Sequence, residues 1–258
     1  MKKAALGNLC AVVPLFLFSM TAVIGEGAAA KTDAREIVKK VDELYRSESS
    51  FAVMEMEIIT PHWQRTLKME AWSMGMDKTF IRILLPKKEM GIATLRIENE
   101  MWNFLPNTNK VMKIPPSMMM ASWMGSDFTN DDLVKEYTFL DDYSFDFVEV
   151  ENPQEGVAYV KCVPREGLPI VWGHIITAVR EKDYIPLWAK YYDEKGQLMR
   201  EIQYKDIKTL GKRTIPAVME LIPTHKEGQK TIVRYLEAQF NIPVDKDVFT
   251  LRNLQSGK

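Results

Sequence analysis

Apolar positions follow two periods along this chain. Between Asp33 and Tyr45 they recur at helical spacing, through Ile37, Val41, Leu44 and Tyr45. Asp33 can cap that helix, with Glu36 three residues on as in a capping box. Beyond Ser50 the period becomes two. It predicts strands over 51–60, 65–76, 78–85, 92–98 and 101–105, separated by Pro61-His62, Gly75-Met76-Asp77 and Pro86-Lys87-Lys88. Pro115-Pro116 breaks the rhythm, because proline cannot donate to a ladder. Ser117 is placed to cap a short helix over 118–123, Gly125 to end it, and Thr129 or Asn130 to cap a further turn through Leu133 and Val134. Strands are expected again over 137–150, 157–163, 171–181, 184–192, 197–208, 214–222 and 231–238, and a last turn near 248–254. The pattern predicts one mainly β domain of about eleven or twelve antiparallel strands, with helices at one end and in the middle.

The first thirty residues have another layout. Lys2 and Lys3 precede an apolar run from Leu9 to Ile24, and Ala28-Ala29-Ala30 follows. This is the form of a cleaved export signal, and the run is shorter than the roughly 20 residues of a membrane span. The domain is therefore expected over 31–258, exported and cleaved near Ala30. Cys10 precedes most of the apolar run and would leave with the signal, so Cys162 remains as the single cysteine. A disulfide within the chain is then impossible, and an apolar core must hold the fold. The charge is nearly balanced, with 34 basic and 35 acidic side chains, where a nucleic-acid binder would show a basic excess.

Catalytic patterns do not emerge. His62, His174 and His225 are scattered without zinc-like spacing, and Gly211-Lys212 lacks the upstream glycine of a phosphate loop. Ser126-Asp127 reads as turn chemistry, and Asp127, Asn130, Asp131 and Asp132 lack the spacing of a calcium loop. A non-enzyme without cofactor or metal is expected.

Methionine usage is asymmetric. Of sixteen methionines, twelve lie between Met54 and Met124, and only Met199 and Met219 follow. Met54 with Met56, and Met74 with Met76, share strand faces two residues apart. Ordinary core packing accounts for any one of them. Two collective readings remain: thioethers for Cu(I), and a deformable wall for an acyl chain. Leu67 and Met69 on one parity and Trp72 and Met74 on the other leave no clearly polar face. A chain of about 15 methylenes costs roughly 12 kcal/mol to hold in water, at about 0.8 kcal/mol each. A covered hollow can recover that, and a flat patch cannot.

Four stretches carry a resemblance: "GIATLRIENEMWNFLPNTNKVMKIPPS" (91–117), "WMGSDFTNDDL" (123–133), "YYDEKGQLMREIQYKDIKTLGKRTIP" (191–216) and "NIPVDKDVFTLRNL" (241–254). The sequence resembles the outer-membrane lipoprotein-sorting family, the LolA-like proteins of the bacterial periplasm, in its broad, little-characterised branch. The resemblance implies a half-open antiparallel β-barrel with helices over or plugging its concave face. It also implies a carrier or sensor for acyl chains of lipoproteins or lipids, served by an inner-membrane exporter and an outer-membrane acceptor. Trp102, Phe104, Met118, Met119, Trp123 and Met124 are the expected lining or lidding residues, with Phe128 as an anchor. Arg82 and Arg96 are in-strand candidates for the arginine that secures the lid in such carriers, or else lie on a solvated strand face. The alternatives are docking of 117–132 on an RND- or ABC-type exporter, and Cu(I) binding through methionine.

Overall fold

The computed structural model describes residues 33–135 and 139–256. The expected export signal lies outside them. The first element is α1, Ala34–Tyr45, whose N-cap Asp33 accepts from the Arg35 backbone N–H. Six strands follow: β1 (Ser49–Ile59), β2 (Gln64–Met74), β3 (Lys78–Leu85), β4 (Ala93–Ile97), β5 (Glu100–Leu105) and β6 (Lys110–Lys113). An insert then carries a 3-10 turn (Pro116–Met118) and two short helices, α2 (Asn130–Lys135) and α3 (Phe139–Asp142). Seven further strands are β7 (Tyr143–Phe147), β8 (Val157–Pro164), β9 (His174–Arg180), β10 (Ile185–Tyr192), β11 (Leu198–Leu210), β12 (Arg213–Pro223) and β13 (Lys230–Phe240). A 3-10 turn (Lys246–Phe249) and α4 (Leu251–Gln255) end the described chain.

All thirteen strands form one antiparallel sheet in the order β6-β5-β4-β3-β2-β1-β13-β12-β11-β10-β9-β8-β7. Two meanders are thus joined at β1 and β13, and β6 and β7 lie at opposite edges. The connection from β6 to β7 must therefore cross the sheet. It does so on the face that α1 also covers, the concave face of a half-open barrel. A bulge between Val53 and Met54 sets Ala52 opposite Ala238 but Met54 opposite Tyr235. The extra residue, Leu236, changes parity, so that Val233, Tyr235, Ala238 and Phe240 all turn toward the interior.

Side chains divide by strand parity. On the concave face, α1 packs Ala34, Ile37 and Val38 on Val160, Cys162, Ile175 and Ala189. Trp123 of the insert joins Met56, Leu67, Met69, Ile81 and Ile83. On the convex face, Phe249 and Leu254 from the C-terminal segment pack on Phe80, Ala93, Leu95 and Phe104. This explains why β2 and β3 have no polar face: each side is covered by a different segment of the same chain.

Three local expectations are corrected. The sheet has thirteen strands against the twelve stretches expected, β6 being too short and too lysine-rich to read as one. Residues 139–142 are helical, so the strand expected over 137–150 begins only at Tyr143; residues 137 and 138 lie outside the described set. The helix expected over 118–123 is a single 3-10 turn. Ser117 makes no capping bond there, and Met124 and Gly125 both take positive φ. Among the described residues no helix is long and apolar enough to cross a membrane.

Candidate functional site

A cavity of about 420 Å³ lies between the insert and the concave face. Its size falls within the range of about 300–1,000 Å³ usual for small-molecule sites. Met54 and Met69 sit opposite each other across β1 and β2, and with Met56, Met219, Ile81 and Val233 they make one apolar wall. Trp123 and Phe128 close it from the insert, and Tyr191, Tyr204 and Ile202 from the other meander. A second hollow of about 300 Å³ runs beneath α1 and shares Tyr45, Phe139, Tyr204 and Tyr235 with the first. Flexible thioethers let such a wall adapt to a chain without one fixed shape.

Beside the apolar packing of Trp123, Met124, Phe128, Leu133 and Val134, polar ties hold the insert over this hollow. Thr129 and Asp132 form a capping box: the Thr129 backbone N–H and hydroxyl donate to Asp132 Oδ2 at 2.8 and 2.9 Å, and the Asp132 N–H donates back at 3.1 Å. The same carboxylate receives both terminal nitrogens of Arg200 on β11, at 2.8 and 2.7 Å. Such a bidentate pair is among the stronger charge-assisted contacts. The guanidinium also lies over Trp172 at 4.5 Å and Tyr191 at 4.3 Å. Burial alone would raise the Asp132 carboxyl, but the hydrogen bonds and charge of Arg200, with the Thr129 bonds, hold it below its ordinary value. Burial works against the Arg200 cation too, and Asp132 overcomes it.

Further ties flank this pair. Arg96 on β4, only 2% exposed, donates to the carbonyls of Val134 and Met76 at 3.3 and 3.1 Å. Arg65 on β2 donates to the Met124 carbonyl and, at 2.8 Å, to Glu89. Asp127, with a side chain 1% exposed, accepts from the Thr231 hydroxyl at 2.8 Å and the Gln229 amide at 2.6 Å. The Trp123 indole N–H donates to Thr94 Oγ1 at 3.1 Å. Cys162 is fully buried under α1, and burial pushes its thiol up to about 12, so it behaves as a small apolar side chain.

The expected lining residues separate. Trp123 and Phe128 border the cavity, and Met124 packs in the same cluster. Met119 packs beside it on Met101, Ile114 and Val134, whereas Met118 is 49% exposed. Trp102 and Phe104 are on the convex face, in the cluster formed with Phe249 and Leu254. The reason is parity: Met101 and Asn103 take the inner positions of β5, so their neighbours point away. Arg96 is no solvated strand residue; it ties down the insert. Arg82 donates to the Asn253 carbonyl at 3.1 Å and so holds the C-terminal helix. Arg200 was not anticipated, although two signals point to it. It is the charged residue in the otherwise apolar alternation Leu198, Ile202, Tyr204, and Thr129-x-x-Asp132 has capping-box spacing.

A family model described as uncharacterized protein matches residues 75–256. Three solved structures share the architecture along nearly their full lengths. A DUF1329 family protein from Desulfovibrio piger has TM-score 0.78 at 20% identity, covering 86% of this chain and 100% of that one. A putative outer membrane lipoprotein-sorting protein domain from Vibrio parahaemolyticus has TM-score 0.74 at 20% identity, with 86% and 98% covered. A LolA superfamily protein from Nitrosomonas europaea has TM-score 0.71 at 17% identity, with 86% and 99% covered. The chain belongs to the family whose model matches it. No curated protein matches it. Likenesses at this level of identity show the fold, a half-open barrel, and leave function and cargo to the chemistry of the hollow.

Proposed function

We propose that the protein is a periplasmic carrier or sensor that takes up an acyl chain of a lipid or lipoprotein in the hollow beneath the insert. The observation that supports it most is the methionine- and aromatic-lined cavity, with apolar walls supplied by both meanders. The cover is short and irregular, and its largest buried ion pair, Arg200 with Asp132, can part without disturbing any strand pairing. A chain entering the hollow exchanges water for thioether and ring contacts, at about 0.8 kcal/mol per methylene. Nothing in the residues around the hollow couples to nucleotide hydrolysis, so the protein exchanges cargo by differences in affinity. An exporter and an acceptor in the two membranes would be its natural partners.

The test is extraction of purified, folded protein for lipid mass spectrometry, together with titration of a fluorescent fatty acid. Copurified acyl species or saturable probe binding is the expected result. Finding neither would overturn the proposal. The exposed Met118 and Met120 keep a second reading open, in which the outer side of the insert docks on a transporter. Crosslinking from that side to a membrane protein, without any bound lipid, would favour it.

A further inference from the structure

Arg200 is the only cation among the described residues that line the larger cavity. It is 7% exposed, and its partner there is a carboxylate of α2 in the insert, not of a barrel strand. The Arg200 side chain is backed by the rings of Trp172 and Tyr191, both fixed to the barrel half of the site. Its Nε is buried with no hydrogen-bond partner. A guanidinium so placed keeps its position and its need for an anion whether or not α2 stays in place. When Asp132 leaves, the bidentate face of Arg200 opens directly into the apolar hollow.

We propose that Asp132 occupies the place of a ligand's anionic head: a single-chain amphiphile with a carboxylate or phosphate head binds by displacing Asp132 from Arg200, which frees α2 and opens the cover. This rests on the acyl-carrier reading and adds to it the charge of the cargo and the trigger for opening. The exchange replaces one anion on Arg200 by another and leaves the desolvated cation paired throughout. Burial of the tail among Met54, Met56, Met69 and Met219 supplies the surplus that favours the ligand over Asp132. The freed Asp132 moves to water, where a carboxylate needs no partner. A neutral amphiphile gains the same tail contacts but cannot release the pair. A cationic one meets Arg200 as a like charge.

The experiment compares palmitate, lysophosphatidate, methyl palmitate and hexadecyltrimethylammonium as competitors of a fluorescent fatty acid, with hydrogen–deuterium exchange of residues 129–135 as the readout of the cover. Palmitate or lysophosphatidate should bind at least about tenfold more tightly than methyl palmitate and speed exchange in that segment; whichever binds better identifies the head. Asp132→Asn, which can keep the Thr129 capping bonds but not the full ion pair, should tighten palmitate binding by about tenfold. Arg200→Met, checked for native circular dichroism, should bind acid and ester alike. Equal affinity for palmitate and its ester in the unaltered protein, or an Asp132→Asn variant with unchanged palmitate affinity, would overturn this inference and leave the carrier reading standing. If none of the four amphiphiles binds, this inference falls, and the carrier reading falls with it only if the fluorescent fatty acid does not bind and no acyl species copurifies.

Discussion

Two segments cover the two faces of the same sheet, and they are held in different ways. On the convex face the C-terminal segment buries Phe249 and Leu254, 4% and 0% exposed, in a continuous apolar cluster with Phe80, Leu95 and Phe104. On the concave face the insert buries Trp123, Ile114 and Val134, and it carries more polar ties than the Arg82 bond to Asn253 gives the C-terminal segment: Arg65, Arg96, Arg200 and Asp127 all hold it through hydrogen bonds and ion pairs. Apolar burial is non-directional and is lost only by exposing surface. A polar tie can be exchanged for another of the same chemistry at little net cost. On the carrier reading proposed above, the convex cover belongs to the permanent core and the concave cover, richer in exchangeable ties, is the one that opens. The cavity lies under the second.

The comparison breaks most readily at Phe249. Phe249→Ala should cost about 3–5 kcal/mol of global stability, the usual range for a buried phenylalanine, while leaving fatty-acid affinity per folded molecule unchanged. Denaturant unfolding with a parallel binding titration checks both parts. If acyl binding falls with stability, the two covers are not independent.

Asp132→Ala should have a smaller effect on global unfolding, about 1–2 kcal/mol. Although stranding a buried cation is costly, the insert can detach locally and let water reach Arg200. The loss should appear instead as faster amide exchange confined to 117–135. A fall as large as that of Phe249→Ala would show that the insert is as integral as the C-terminal segment.

Arg96→Met removes the ties to Val134 and Met76 but leaves the Arg200 pair. It should raise exchange in α2 at a stability cost of about 1–3 kcal/mol, the penalty for carbonyls left without a donor. Equal exchange in variant and parent would mean that Arg200 alone holds the helix. The smallest effect is expected on the outer side of the insert: Met118→Gln and Met120→Gln, both at exposed positions, should shift stability by less than about 0.5 kcal/mol and leave lipid binding intact. Lost binding in these variants would place the ligand on the outer surface.

Much of this architecture was legible in the sequence. The change from helical to twofold period at Ser50 locates α1 and most strands, because one buried face imposes alternation. The C-terminal turn and the Thr129 cap were also readable, since both depend on local chemistry. Sheet order was not. Nothing local tells that β1 pairs with β13, and without that pairing the edge-to-edge crossing of the insert is invisible. The error at Trp102 and Phe104 has the same origin. Both parities of β5 are apolar, and only the long-range packing of Phe249 on one and Val134 on the other decides which faces the hollow. Arg200 was missed because its partner lies 68 residues away in the chain.

The central claim is that an acyl chain occupies the concave hollow beneath the insert. It is tested most directly with palmitate carrying a diazirine in its tail, photolysed on the folded protein, with the labelled residues mapped by mass spectrometry. The account predicts saturable labelling of Met54, Met56, Met69, Met219 and Trp123, abolished by excess palmitate. Labelling concentrated at Trp102, Phe104 and Leu254, or none above an unsaturable background, would contradict it.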